Sequence, residues 1–373
     1  MTYTIGLMSG TSMDGIDAAI VDVENHQCIA ALTIPYPPAT KSFLLEVLSH
    51  MHHTFETLQA LNHKLGEAFG ESVNLLLAKA NFNAGDIKAI GSHGQTVCHD
   101  ATAQIPYTLQ LGCPHTIAEM TGIPVVADFR TRDMVLGGQG APFAPIYHQA
   151  LFASLPKPLV VLNIGGISNA TFLTHDALSG YDLGPGNVLM DAWVLKHWGQ
   201  SYDKNGEIAA SGQVNQAVLN RLMQDPFFSR EGPKSIGKEY FSLAWLEKAG
   251  ISEMRPEDVQ ATLLALTVES IAETVGWALA QQPKPMLGQG PTYKGEILVC
   301  GGGVHNTALM SSLAKCLPQA QVRSTAYHGA NPDFIEAMIF AWLANEAISG
   351  RTVDMQSITG ALKPAKLGVI YPI

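Results

Sequence analysis

Charge is scarce in this chain. Only 14% of its 373 residues are Asp, Glu, Lys or Arg, and 22 basic residues face 32 acidic ones, for a net charge of −10. Nothing in that balance resembles a clustered basic face, which argues against nonspecific nucleic-acid binding. It does not argue against ATP, whose phosphates can be held by backbone N–H groups and Mg²⁺. Cysteine is thin as well: Cys28, Cys98, Cys113, Cys300 and Cys316 are odd in number and lack any C-x-x-C spacing. A reduced cytoplasm fits that usage better than a disulfide framework or a zinc site. No uncharged apolar stretch is long enough to span a bilayer, and the amino terminus lacks the basic and apolar pattern of a secretory signal. No membrane association is therefore expected. What the chain has is apolar bulk, 47% of its residues. That describes a compact globular protein, long enough for two domains with separate cores.

Patterning gives the organisation. Residues 2–7, 16–23 and 28–34 read as successive strands of an antiparallel meander. Over 57–80, Leu58, Leu61, Leu65, Phe69, Val73 and Leu76 form one helical stripe. A short buried strand at 87–92, a helix at 115–121 and a strand at 124–127 follow. The order βββαβα is one half of a ribonuclease H-like fold. A comparable order begins after Pro158, with strands at 159–163 and 169–173 and helices at 187–198, 213–224 and 258–280. A strand at 297–300, a helix from 307 and a last helix at 332–348 complete it. The expectation is an α/β protein of two ribonuclease H-like domains, 1–136 with 350–373, and 137–349. Between them, the three glycines and two prolines of 137–145 suit a hinge or a substrate-facing loop.

The sharpest local signal is the run from Ile5 to Asp17, two apolar stretches around a cluster of small and polar residues. Gly10 and Gly15 permit close backbone approach, Ser9, Thr11 and Ser12 add hydroxyls, and Asp14 and Asp17 add carboxylates. Such a loop can hold phosphate oxygens and Mg²⁺, although a hairpin with ordinary turn residues would use the same types. Gly165-Gly166 follows the strand that ends at Asn163. Gly301-Gly302-Gly303 follows the strand at 297–300, and three glycines cost more backbone entropy than a turn requires. Ser92-His93-Gly94-Gln95-Thr96 sits where a strand ends, the position at which ligands gather in open α/β sheets. Asp128 to Asp133, with Arg130 and Arg132, repeats that placement and offers a partner for an anionic group. Asp182 precedes Gly184-Pro185-Gly186 and a helix, a way to aim a carboxylate at a cleft. Gly232 to Glu239 nearly fits a Walker A loop, but Glu239 stands where a Ser or Thr must reach Mg²⁺ and no apolar strand precedes it.

Met8-Ser-Gly-Thr-Ser-Met-Asp-Gly-Ile-Asp17 resembles the amino-terminal signature of the anhydro-N-acetylmuramic acid kinases. These belong to the acetate and sugar kinase, heat-shock chaperone and actin superfamily. The resemblance continues through the other glycine loops, residues 234–241 and the final helix. It implies an interdomain active-site cleft, with ATP and Mg²⁺ as cofactors and a sugar as substrate. Gly10, Thr11, Ser12, Met13, Asp14, Gly15 and Asp17 would form the first phosphate loop, with Asp14 as metal ligand. Gly165 and Gly166 would form the second, and Gly301, Gly302 and Gly303 the adenosine loop. The superfamily usually has Asp where this chain has Asn163. Ser9, His93, Gln95, Thr96, Arg130 and Gly184 would face the sugar, and Asp182 would be the general base. The implied reaction opens 1,6-anhydro-N-acetylmuramic acid with water while the departing oxygen accepts the γ-phosphoryl group. Lys234 and Ser235 carry no role that the sequence supplies. A hexose kinase, a chaperone-like or actin-like ATPase and a nucleotide-free glycosidase are the rival readings, and a homodimer stays open.

Overall fold

The computed structural model describes every residue except 11, 12, 14, 51, 231, 233, 238 and 281–294, and only the backbone of 277–280. Two compact units emerge, Met1–Leu151 with Phe334–Ile373, and Phe152–Asp333. The chain opens with β1 (Tyr3–Ser9), β2 (Ile16–Asp22) and β3 (Gln27–Ile34), then α1 (Pro38–Leu48) and α2 (Phe55–Ala80). Next come β4 (Ile87–Asp100), β5 (Tyr107–Leu111), α3 (Pro114–Thr121), β6 (Val125–Ala127), α4 (Phe129–Val135) and α5 (Ala144–Leu151). The second unit holds β7 (Leu159–Ile164), β8 (Ile167–Leu173), β9 (Leu178–Pro185), α6 (Val188–Trp198), α7 (Glu207–Ser211) and α8 (Gln216–Met223). It continues with α9 (Pro226–Ser229), α10 (Leu243–Glu247), α11 (Pro256–Ala280), β10 (Gly295–Cys300), α12 (Thr307–Cys316) and β11 (Ala320–Ser324). The chain then returns to the first unit with α13 (Ile335–Ile348), α14 (Gln356–Thr359) and β12 (Val369–Tyr371).

In the first unit the sheet runs β12-β6-β4-β1-β2-β3, and β5 pairs with β4 beyond this path. β1, β2 and β3 are antiparallel, as their turn-bounded apolar runs predict, while β4 joins β1 in parallel. The expected stripe of α2 is buried from Leu61 to Leu76 against Ile5, Leu7 and Ile16 of the sheet, with Leu58 at its edge. The helix starts on a Thr54 hydroxyl that accepts from Thr57 N, and stops at Asn81 in the left-handed conformation. α13 lies on the same sheet because Gly6 and Gly91 carry no side chain: a Cβ at either would strike the Ala337 or Phe340 carbonyl.

In the second unit the order is β11-β10-β7-β8-β9, with β7, β8 and β9 antiparallel and β10 and β11 parallel to β7. This repeats the first unit's order: a meander whose first strand is extended on its free side by two successive parallel strands. Both units are thus ribonuclease H-like α/β folds.

The units divide elsewhere than the sequence places them. The last helix belongs to the first unit, since its small residues pack on β1 and β4. The 137–145 stretch lies inside that unit, where Gly138 N and Gly140 N are tied to Asp133 and Gln139 N to the Thr359 carbonyl. The polar run from Asp128 is a helix instead of a loop: Asp128 adopts a left-handed conformation and accepts from Thr131 N to cap α4. β4 does not stop at Ser92 but continues to Asp100 by pairing with β5. Asp182 stands within β9, not at its end.

Candidate functional site

The first unit assembles its polar residues where β1 and β4 run side by side. Their parallel register sets Ser9 beside Gln95. The buried Ser9 hydroxyl is shared between Gln95 Oε1 at 2.8 Å and the Gly15 carbonyl at 3.1 Å, so it ties the loop after β1 back to the sheet. Tyr36, between two prolines and unflagged by the sequence reading, also donates to Gln95 Oε1, at 3.3 Å, and burial pushes its hydroxyl up to about 12. Thr96 Oγ1 accepts from Gln110 Nε2 of β5. Within the loop, Met13 adopts a left-handed conformation and donates its N–H to the Gly10 carbonyl. Gly15 has no room for a Cβ, which would crowd the Ile34 carbonyl. Thr11, Ser12 and Asp14 lie outside the described residues. Asp17 falls inside β2, where its Oδ1 accepts from Thr33 Oγ1 at 2.6 Å.

His93 and Arg130 form a second set in this unit. Arg130 Nε and Nη2 donate to His93 Nε2 at 3.1 and 2.9 Å, and Arg130 Nη1 donates to the Gly140 carbonyl at 2.7 Å. Since an Arg only donates, His93 Nδ1 must carry the ring proton, and it donates to the Gly94 carbonyl at 2.9 Å. Burial, reinforced by the Arg130 charge, holds the imidazole neutral, well below the usual histidine range. Burial likewise lowers Arg130 to about 10, opposed by Glu336 and Asp133. The pair is a rigid, cationic donor group suited to an anionic or hydroxylated ligand.

The second unit gathers its glycine loops at the carboxyl ends of two adjacent parallel strands. Asn163 of β7 is in register with Cys300 of β10, so Gly165-Gly166 and Gly301-Gly302-Gly303 leave the sheet as neighbours. A Cβ at Gly301 would strike the Asn163 amide and one at Gly303 would strike Ile164, so both positions require glycine for close approach. The start of α6 is bound to the first of these loops. Gly186 N and Val188 N donate to the Gly166 carbonyl, Asn187 N to that of Gly165, and the Asn187 amide to that of Ile164. Gly184 is a packing position, because a side chain there would collide with Phe228 and Ser270.

Asp182 pairs with Asn169 of β8 in register. Its Oδ2 accepts from Ile236 N at 2.8 Å. Burial raises its carboxyl from 3.8 to about 6, against the lowering pull of the Ile236 amide and the Lys234 charge. That is the range in which a carboxylate serves as general base at neutral pH.

Among the described residues no group of three or more His, Cys, Asp or Glu side chains could hold a metal. A Mg²⁺ carried by nucleotide phosphates asks for less, one or two carboxylates with phosphate and water completing its shell.

Compared with known proteins, residues 2–373 match the family described as anhydro-N-acetylmuramic acid kinase. A relative of that name from Legionella pneumophila (strain Paris) is 50% identical over 100% of this chain and 99% of its own. One from Pasteurella multocida (strain Pm70) is 43% identical over 99% of this chain and 97% of its own. Among solved structures, a ROK family glucokinase from Streptomyces griseus in complex with glucose and AMPPNP superposes with a TM-score of 0.40 at 14% identity. That likeness covers 92% of this chain and 99% of the glucokinase.

Proposed function

Because this chain belongs to the anhydro-N-acetylmuramic acid kinase family, we propose that it opens the 1,6-anhydro ring of anhydro-N-acetylmuramic acid and phosphorylates O6 with ATP. The products are N-acetylmuramic acid 6-phosphate and ADP, and the reaction belongs to the recycling of cell-wall peptidoglycan. Water attacks the anomeric carbon and Asp182 takes its proton. The bond from that carbon to the bridging oxygen breaks, and the oxygen, still attached to carbon 6, accepts the γ-phosphoryl group. No separate acid is needed, since the phosphoryl group captures the oxygen as it leaves.

The observation that carries this reading is the Asp182 carboxylate, oriented by the Ile236 amide and raised to about 6. Arg130, held in place by His93, supplies donors for the sugar's carboxylate and hydroxyls, and Ser9, Gln95 and Thr96 supply further polar groups. Gly10, Thr11, Ser12, Met13, Gly15, Gly165 and Gly166 serve the phosphates, and Gly301 to Gly303 serve the adenosine. Mg²⁺, with Asp14 as its protein ligand, would neutralise phosphate charge. Phosphoryl transfer asks chiefly for such alignment and neutralisation. A cytoplasmic location accompanies the reading, and sedimentation in solution tests whether the protein forms a homodimer.

The deciding experiment weighs the product formed from ATP, Mg²⁺ and anhydro-N-acetylmuramic acid. A gain of one phosphate and one water is expected. A gain of phosphate alone would instead make this an ordinary sugar kinase, and no ATP-dependent product would overturn the reading.

A further inference from the structure

Lys234 and Ile236 make reciprocal contacts with Asp182. The Asp182 N–H donates to the Lys234 carbonyl at 2.9 Å, while the Ile236 N–H donates back to Asp182 Oδ2 at 2.8 Å. Backbone and side chain of one residue are therefore held by two positions only two apart. Gly232 allows this segment its close approach, since a Cβ there would run into the Tyr181 ring. The Tyr181 ring is itself stacked on Phe172 at 5.0 Å. Lys234 is 9% exposed. Its Nζ donates to the Phe227 carbonyl at 3.0 Å and stands 4.5 Å from the centre of the Phe227 ring. An ammonium anchored in this way cannot swing into water as a surface lysine does.

We infer that Lys234 is a positioning residue for Asp182: its anchored ammonium and the backbone on either side of Ser235 hold the carboxylate in place and in its charged form. The role rests on Asp182 being the general base. Among the described residues of the other elements around β9, none supplies a second charge that acts on it. β8 sets the neutral Asn169 in register with it. α11 brings Thr267, bonded to the Gly186 carbonyl, and Ser270, close to Gly184. α9 brings the Phe227 and Phe228 rings. Among the described residues, Lys234 is the charged group that acts on Asp182, and it opposes the burial that favours the neutral acid.

The test is the pH dependence of kcat/KM in the full-length enzyme, on variants first checked by thermal melting. Lys234→Met should move the acid limb upward by about one pH unit, within the range an opposite charge nearby imposes on a carboxylate. Lys234→Arg keeps the charge and should return the limb towards its parental position. A role confined to packing would lower the rate by one factor at every pH, leaving the limb where it was. An unmoved limb in folded Lys234→Met overturns the inference. Should that variant fail to fold, Ile236→Pro removes the amide donor together with the Ile side chain packed on the core; in a folded variant it must also raise the limb, and an unmoved limb there overturns the clamp. Asp182→Asn separates the two readings. If it is nearly active, the base assignment itself falls; if it is inactive while the Lys234→Met limb stays put, only the Lys234 role falls.

Discussion

Asp182 lies under opposing influences, burial pushing its carboxyl from 3.8 up to about 6 and two neighbours pulling it back. For a base that must be ionised, kcat/KM should fall tenfold per pH unit below about 6 and level off above it. A profile flat down to about pH 5 would contradict the assignment. Stability moves the other way. Between 3.8 and about 6 the folded chain holds a proton that the unfolded chain has released, so this group's contribution is fully present below the lower value. It is lost as pH rises through the higher one. Asp182→Asn cannot ionise, yet its amide oxygen can still accept from Ile236. It should melt above the parent at about pH 8 and level with it at about pH 3.5. In the same variant turnover should drop by about 10²–10⁴-fold or more, the usual cost of losing a general base. A carboxylate ahead of a Gly-Pro-Gly turn was legible in the sequence. The segment that grips it was not, because Lys234 and Ile236 come more than fifty positions later and meet it only through the fold.

At the scale of elements, periodicity and turn residues revealed the first meander, α2, α11 and the parallel strands β4, β6, β7 and β10, but not β11. They failed where tertiary pairing overrides local preference. β9 contains Gly180, Asp182, Gly184 and Pro185, types depleted in strands, yet pairing with β8 keeps it extended. α4 is seven residues long and depends on a strained Asp128 cap, so no apolar stripe announces it. The docking of α13 was hidden for another reason: it depends on two glycines, Gly6 and Gly91, that look unremarkable within their strands. Gly91→Ala would drive a methyl group into the Phe340 carbonyl, which cannot move without shifting the helix. Overpacking of this kind should cost about 3 kcal/mol or more, read as a lower denaturant midpoint. Gly85→Ala, where a Cβ meets nothing within 4 Å, is the control and should change stability by less than about 0.5 kcal/mol. Equal effects from the two would remove the steric account of how this helix is seated.

For the whole molecule, the presence of two similar α/β halves was readable from the sequence, but β9, β11 and the points of division were not, since α13 joins the first unit through contacts distant in the chain. The proposed reaction gives roles to Arg130, to His93 and to Asp182. Its two bond changes share one oxygen, the atom that leaves carbon 1 and receives the phosphoryl group. Loss of any one of these roles should therefore suppress ring opening and phosphorylation in equal proportion. Arg130→Lys retains a charge but cannot donate at once to His93 and the Gly140 carbonyl as the planar guanidinium does. Its kcat/KM should fall by about 10²-fold, as expected when a positioning group is lost, with ADP and opened sugar still formed one for one. Run in ¹⁸O-water, parent and variant alike should place the label on the anomeric hydroxyl and none in the phosphate ester bridge. Because water enters opposite the β-oriented bridge, the α-anomer should form first. Label in the ester bridge, a β-anomer formed first, or ADP released in excess of opened sugar would mean that the two steps are not joined through that oxygen.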